Sequence, residues 1–424
     1  MGFTVTIPEG SSFTLHNIPF GVISTDANPE PHCATAIGDY ALDLPLYFHY
    51  RASDDKYFVP LDCDTLHAIF NQPSLNTFAA LPSTTRTAIR AHLIEALRDS
   101  EVPESCLISL PEARMHLPMQ IGGYSDFFCS LEHCQNLLTG LDQCSPMTGG
   151  VVAPNFYHAP SVYNGRVSSV IPSPAPVRRP KGVMYDTGKG SGNPVYGPSQ
   201  KLDFELEMGY FVSTPIAHGE TMSIADAREH IFGFVLLNDW SSRDIQAFEM
   251  NPLGPFHSKG FGTSISPWVV TLDALEPFAC EPKHDHSATE FEHLKWKERE
   301  VGTFDVELTA ALVRDQKRYE VTKSNLRWLY WSPYQQLAHH ASAGCGLGAG
   351  DLLGSGTISG EREGELGCLF EATQGGEKPI QFEDGASLGY LEDHDEVVLE
   401  GWCGKGEDRI GFGECRGVLL PASK

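Results

Sequence analysis

Seven residues constrain this chain more than any others: Leu202-Asp203-Phe204-Glu205-Leu206-Glu207-Met208. Strict period-two alternation predicts a strand with Leu202, Phe204, Leu206 and Met208 on one face and three carboxylates on the other. Residues two apart on a strand lie roughly 6.5 to 7 Å apart at the backbone, so these acids can converge on one cation. The plain alternative is a solvent-facing strand. Against it, acids have low β propensity and consecutive ones repel each other. Taken alone, the pattern leaves both readings open.

The 424 residues favour two to three domains with ample chain for a large core. Gly (41) and Pro (29) are in excess, together about 17% against roughly 12% on average, which favours a turn-rich, largely β protein. The net charge of −25 repels phosphate backbones and anionic lipid, so nucleic acid and membrane surfaces are unexpected partners. Eleven cysteines contain no C-x-x-C pair, which removes the signatures of zinc ribbons and thioredoxin-like sites. The N-terminus has no signal-peptide pattern, and the longest apolar runs are far too short to span a bilayer. A soluble, cytoplasmic protein with reduced thiols is expected. Met1, Gly2 and Thr6 formally fit a myristoylation pattern, but no basic cluster supplies a second membrane signal.

No repeat of fixed period occurs. In the first ~110 residues, Ala34–Leu44 reads as a hairpin turning at Gly38-Asp39, and Ile89, Leu93 and Leu97 define a helix with Ser83 as its cap. From Met119 onward strands alternate with Gly-rich turns. The stretches Ile171–Lys181 and Thr187–Pro198 read as ordered loops. Residues Glu281–Glu300, with His284, His286 and His293, read as a solvated excursion rather than a metal site. A helix is expected over Ser332–Ser342, and strands at Asp351–Leu353, Glu396–Trp402 and Gly417–Leu420.

Four further segments carry chemistry. The apolar run Ile231–Leu237 suits a strand buried on both faces, and it ends in Asn238-Asp239-Trp240-Ser241-Ser242-Arg243-Asp244-Ile245-Gln246. Asp239 there can supply another oxygen ligand, next to a helix start capped by Ser241 or Ser242. The loop Leu253–Thr263 is glycine-rich and holds Lys259 and Thr263, but it is not a P-loop, and the Rossmann fingerprint is absent. Asp126 and His133 lie seven residues apart. Gly354–Gly360 is a glycine-rich strand exit without the G-x-S-x-G elbow, which disfavours a serine hydrolase.

Together these pieces resemble the fumarylacetoacetase family along nearly the whole chain. The resemblance runs from His16-Asn17-Ile18-Pro19-Phe20-Gly21-Val22 through His116-Leu117-Pro118, Asn238-Asp239-Trp240-Ser241 and Pro252-Leu253-Gly254-Pro255-Phe256. It continues to Ser355-Gly356-Thr357-Ile358-Ser359-Gly360 and Ile410-Gly411-Phe412-Gly413. It implies a mainly β (α+β) fold: an SH3-like N-terminal domain over 1–118 and a mixed β-sandwich roll over 119–424, in a homodimer. It also implies Asp126, Glu205, Glu207 and Asp239 as metal ligands, with Lys259 and Thr263 close to the metal. Oxygen ligation suits Mg²⁺ or Ca²⁺. Two carboxylates about 4 Å apart repel by roughly 4 kcal/mol at an effective dielectric near 20, a penalty a divalent ion removes.

The reaction implied is hydrolysis of a carbon–carbon bond in a 1,3-dicarbonyl substrate. His133, oriented by Glu371, takes a proton from water; Arg243, Gln246 and Lys259 stabilise the alkoxide; the metal holds the departing enolate. Phe128, Tyr163, Gln246, Met250 and Thr357 fall at substrate-binding positions. Here the chain departs from its relatives' pattern. Phe128 and Met250 replace tyrosines, Tyr-His-Gly-Arg becomes Tyr163-Asn164-Gly165-Arg166, and Asn136–Asp142 lacks an Arg found in the family. Losing one cation and two hydroxyls would leave a buried substrate carboxylate poorly paired. The expectation is therefore a substrate other than fumarylacetoacetate, one such role lying in a specialised biosynthetic pathway (secondary metabolism), while the resemblance itself implies aromatic amino acid catabolism. Enolate chemistry without hydrolysis and a non-catalytic binding protein are the alternatives.

Overall fold

The computed structural model describes residues 3–51, 60–140, 151–186, 192–285 and 291–424. Asp142, His286, Met1, Gly2 and residues 187–191, all singled out above, lie outside that set.

The N-terminal part is a small antiparallel sheet in the order Leu107–Ser109, Tyr40–Asp43, His32–Ile37, Phe20–Ser24, Arg114–Met115. The expected hairpin is present: Ile37 pairs with Tyr40, and Gly38 takes the positive φ of 55° that a two-residue turn demands. The helix Ser83–Arg98 buries Ile89, Leu93 and Leu97. Ser83 is its first helical residue rather than its cap, because Pro82 holds the cap position and has no side-chain acceptor.

The larger part is built on two main sheets, with smaller two-stranded ladders beside them. One runs Ser161–Asn164, Tyr124–Phe128, Leu352–Gly354, Leu206–Val212, Ile231–Asp239, Thr263–Ile265, Val170–Pro172. The other runs Lys317–Asn325, Glu307–Arg314, Glu396–Cys403, Ile410–Leu420, Val177–Arg178. Leu206, Met208, Tyr210, Phe234 and Leu236 of the first sheet share a core with Leu308, Ala310, Val397, Leu399 and Phe412 of the second. The opposite face of the first sheet, with Phe211, Phe232, Val235, Leu237 and Leu352, packs on the N-terminal core around Phe20, Phe78 and Leu93. A sheet covered on both faces has no place for solvent-facing residues, which is why Ile231–Asp239 is apolar until its last two positions and buried throughout.

The opening motif enters this doubly covered sheet only from Leu206, while Leu202–Asp203 pairs with Ser241–Ser242 in a separate two-stranded ladder. It forms two pieces, Leu202–Asp203 and Leu206–Val212, with Phe204 and Glu205 between them; all are buried, so the solvent-facing reading is excluded. Other differences are local. Ile171–Lys181 and Thr187–Pro198 are not simple loops: Val170–Pro172 and Val177–Arg178 each join a main sheet, and Lys181–Tyr185 pairs with Pro194–Pro198. Their prolines sit at strand ends and edges, where a missing N–H costs no ladder bond. The helix Pro333–Ser342 begins with a capping box between Ser332 and Gln335, as its sequence suggests. The last strand, Ile410–Leu420, is longer than expected. No helix among the described residues is long and apolar enough to cross a membrane.

Candidate active site

Three strands bring three acids together. Asp126 comes from Tyr124–Phe128, Glu207 from Leu206–Val212, and Asp239 closes Ile231–Asp239. One oxygen from each lies within 4.8 Å of the other two, and all three residues are buried. Gly354 pairs with both Asp126 and Gly209, and a Cβ there would stand 2.4 Å from Asp126 Oδ1 and 3.2 Å from Glu207 Oε2. Only glycine lets the chain pass so close to the acids. Burial, then the Asp239 carboxylate, pushes Asp126 well above the ordinary carboxylate range; burial and then Asp126 do the same to Glu207. Asp126 Oδ1 has no hydrogen-bond partner although it is buried. An all-oxygen set whose acids oppose one another's ionisation, with one buried oxygen left unpartnered, fits a hard divalent cation.

Glu205 is placed differently. Its Oε1 meets Arg243 Nη1 at 2.8 Å and its Oε2 meets Lys259 Nζ, which also donates to Asp239 Oδ2 at 2.7 Å. Burial opposes Glu205's charge, but Lys259 and Arg243 outweigh it and hold the carboxyl below its usual range. Likewise burial opposes the Lys259 ammonium, and Asp239 and Glu205 overcome it to raise its pKa. Thr263 Oγ1 lies 3.4 Å from Asp239 Oδ1. The Tyr163 hydroxyl, expected near substrate, lies 3.0 Å from Asp126 Oδ2 and 2.7 Å from Asp239 Oδ2, with its one proton between the two carboxylates.

Beside the acids stands a histidine–carboxylate pair. His133, on Leu131–Gly140, and Glu371, on the short helix Leu369–Ala372, meet at 2.6 Å between Nδ1 and Oε1. Asn136 Nδ2 donates to Glu371 Oε2 at 2.8 Å, and Ser359 Oγ donates to Oε1 at 2.7 Å. Burial alone would raise Glu371, but His133 and these donors more than compensate and lower it. With Nδ1 committed, Nε2 is the nitrogen left to take a proton. Phe128 packs edge-on against the His133 ring with centroids 5.3 Å apart. Arg243 Nη1 donates to Gln246 Oε1 at 3.1 Å, while Met250 is exposed on the same helix, Arg243–Leu253. Ser242 holds the cap position of that helix, without the side-chain capping bond expected of Ser241 or Ser242. Thr357 is buried in the segment following Leu352–Gly354. His284 lies 2.9 Å from Oε1 of Glu132, the residue before His133.

Several residues escape sequence reasoning. Tyr124 donates to Asp126 Oδ2 at 3.2 Å, and Asn238 Oδ1 accepts from Glu205 N at 3.1 Å. Asn136 and Ser359 carry no signal of their own; only knowing that Glu371 is buried and ionised prompts a search for its donors.

A cluster of three buried acids stands beside a histidine–carboxylate pair and a buried guanidinium at the end of a doubly covered β sheet, and full-length likeness to curated fumarylacetoacetases makes the chain a hydrolase acting on carbon–carbon bonds. The chain belongs to the fumarylacetoacetase family. Residues 124–419 match the family model for the C-terminal part of fumarylacetoacetate hydrolase, and residues 16–118 match that for the fumarylacetoacetase N-terminal part. Fumarylacetoacetase of Homo sapiens is 41% identical across 99% of this chain and 98% of its own length. That of Arabidopsis thaliana is 40% identical across 99% and 98%. Among solved structures, fumarylacetoacetate hydrolase from psychrophilic Exiguobacterium antarcticum superposes with a TM-score of 0.51 at 13% identity, over 95% of this chain and 99% of that one, a likeness of fold.

Proposed function

We propose that this protein is a metal-dependent hydrolase of a 1,3-dicarbonyl acid, with fumarylacetoacetate as the first substrate to test. The observation that carries the reading is the buried His133–Glu371 pair beside the convergent Asp126, Glu207 and Asp239. Relatives named fumarylacetoacetases align over the full length, and the expectation of a different substrate gains no support from them.

The residues divide the work as follows. Asp126, Glu207 and Asp239, with Glu205 alongside, would hold Mg²⁺ or Ca²⁺. When bound, such a cation supplies charge stabilisation to the dicarbonyl oxygens. Glu371 fixes the His133 tautomer, so Nε2 accepts a proton from the attacking water and the carboxylate stabilises the imidazolium that forms. Arg243, held by Glu205, and Gln246 offer donors to the oxygen that gains charge as water adds. Lys259 balances Glu205 and Asp239 and can donate to the same oxygen. His133 then returns the proton to the departing carbon, which completes hydrolysis. Phe128, Tyr163, Met250 and Thr357 would shape the substrate pocket. The reading includes a homodimer and a cytoplasmic location, checked by light scattering and cell fractionation.

The test is turnover of fumarylacetoacetate by the purified protein, stripped of metal and reloaded with Mg²⁺ or Ca²⁺. Loss on stripping and recovery on reloading are expected. A reloaded protein that leaves the substrate intact contradicts the assignment. Isomerised or decarboxylated product in place of hydrolysis would favour enolate chemistry.

A further inference from the structure

Of the three acids in the opening motif, Asp203 has no part in the chemistry above, yet it is the most deeply engaged. It is completely buried. Its Oδ2 accepts from Arg243 Nε at 2.8 Å and from the Phe370 backbone N–H at 2.9 Å. Its Oδ1 accepts from the Leu369 N–H at 2.7 Å and from Phe204 N–H at 2.9 Å. Leu369 and Phe370 are the two residues before Glu371, and the Arg243 guanidinium lies 5.7 Å over the Phe370 ring. One carboxylate thus joins the segment that aims Glu371 at His133 to the arginine on the other side of the site. Its grip on Arg243 Nε, with Glu205 on Nη1, leaves Arg243 Nη2 buried and without a hydrogen-bond partner. That N–H is an unused donor, and a buried unused donor asks for an incoming oxygen.

We propose that Asp203 is a positioning residue for the reaction: it fixes Arg243 and the Leu369–Glu371 turn as one unit, so the free Nη2 donor and the His133 base keep a set separation. Neither element can do this alone. Leu369–Ala372 is a four-residue helix, and Arg243 begins a helix whose cap makes no side-chain bond. Misplacing a catalytic donor by about 1 Å can cost about 100-fold in rate. Asp203 touches no reacting atom in this scheme, so its loss should affect kcat rather than substrate binding.

The inference rests on the hydrolase reading, and the experiment separates the two. Wild type and Asp203→Asn, both loaded with Mg²⁺, are compared for kcat, KM and bound metal per chain on fumarylacetoacetate. The expected result is a kcat per bound metal lower by about 30-fold, with KM within about threefold and metal content unchanged. A merely structural role would lower melting temperature and yield but leave kcat per metal-loaded chain within about threefold, and that result overturns the proposal. Should Asp203→Asn not fold, Asp203→Glu replaces it under the same criteria, since the longer arm cannot reach all four donors together. If wild type binds metal but does not turn over the substrate, the hydrolase reading fails by itself. Asp203 is then judged by the crystal structure of its variant: a Glu371–His133 or Arg243–Glu205 contact lengthened beyond hydrogen-bond reach supports positioning, and both contacts unchanged overturn it.

Discussion

Replacing Glu371 by Gln isolates the electrostatic part of the proposed base. The side chain keeps its size, and Gln Oε1 can still accept from His133 Nδ1, where the two atoms are now 2.6 Å apart. What disappears is a negative charge beside the imidazolium that forms as water is deprotonated. At about 4 Å and an effective dielectric near 20, that pair is worth roughly 4 kcal/mol. The retained neutral hydrogen bond offsets about 1 kcal/mol of the loss, leaving ~3 kcal/mol. At 1.36 kcal/mol per decade the expected fall in kcat is roughly 100-fold. The amide N–H₂ would also face Asn136 Nδ2, which now donates to Oε2 at 2.8 Å, so Asn136 must flip to follow. Stopped-flow absorbance of the dicarbonyl chromophore gives kcat and KM, and a thermal melt checks folding. A kcat within about fivefold of wild type, in a variant that melts normally, refutes the role given to the charge, as does a loss confined to KM.

Further outcomes follow from the same geometry. Gly354→Ala drives a methyl group toward Asp126 Oδ1, 2.4 Å from the ideal Cβ, so bound metal should fall well below one per chain while circular dichroism is retained; full occupancy contradicts the acid assignment. Glu207→Gln removes one of the mutually repelling buried carboxylates: metal affinity should drop while the metal-free protein melts at a higher temperature, and an unchanged metal-free melt denies the repulsion. His92 is held down to about 4 by burial and by Arg51, with Glu101 opposing, while its Nε2 meets the Tyr47 hydroxyl at 2.9 Å. The unfolded state therefore binds a proton that the native state refuses between about pH 6.5 and 4, and stability falls as pH drops through that window, by about 3 kcal/mol. Denaturant titrations should show this slope, and His92→Gln should flatten it.

The sequence carried the fold further than it carried the site. Period-two alternation and the apolar run ending at Asp239 located the strands, and the Gly38-Asp39 signal located a turn, because those features depend on near neighbours. Whether the three acids of Leu202–Met208 faced solvent was not decidable locally. It depends on the N-terminal core covering the far face of the sheet, hundreds of residues of chain away from the second sheet's last strand. The same limit applies to the division of labour among those acids. Asp203, Glu205 and Glu207 look equivalent in the pattern, yet Glu207 joins the convergent trio, Glu205 bridges Arg243 and Lys259, and Asp203 grips Leu369, Phe370 and Arg243. The strand is interrupted at Phe204–Glu205, so the two pieces pair with different neighbours, and alternation alone carries no sign of it.

The central claim is that His133 and Glu371 drive water onto a carbonyl beside the acid cluster. Turnover of fumarylacetoacetate by the Mg²⁺-loaded protein in water enriched in heavy oxygen, read by mass spectrometry, tests it most directly. The account predicts two carboxylic acid fragments, with solvent oxygen incorporated into the new carboxyl of the fragment whose carbonyl was attacked, and negligible label transfer in His133→Ala. Cleavage without solvent oxygen in that carboxyl, or wild-type labelling rates in His133→Ala, would contradict it.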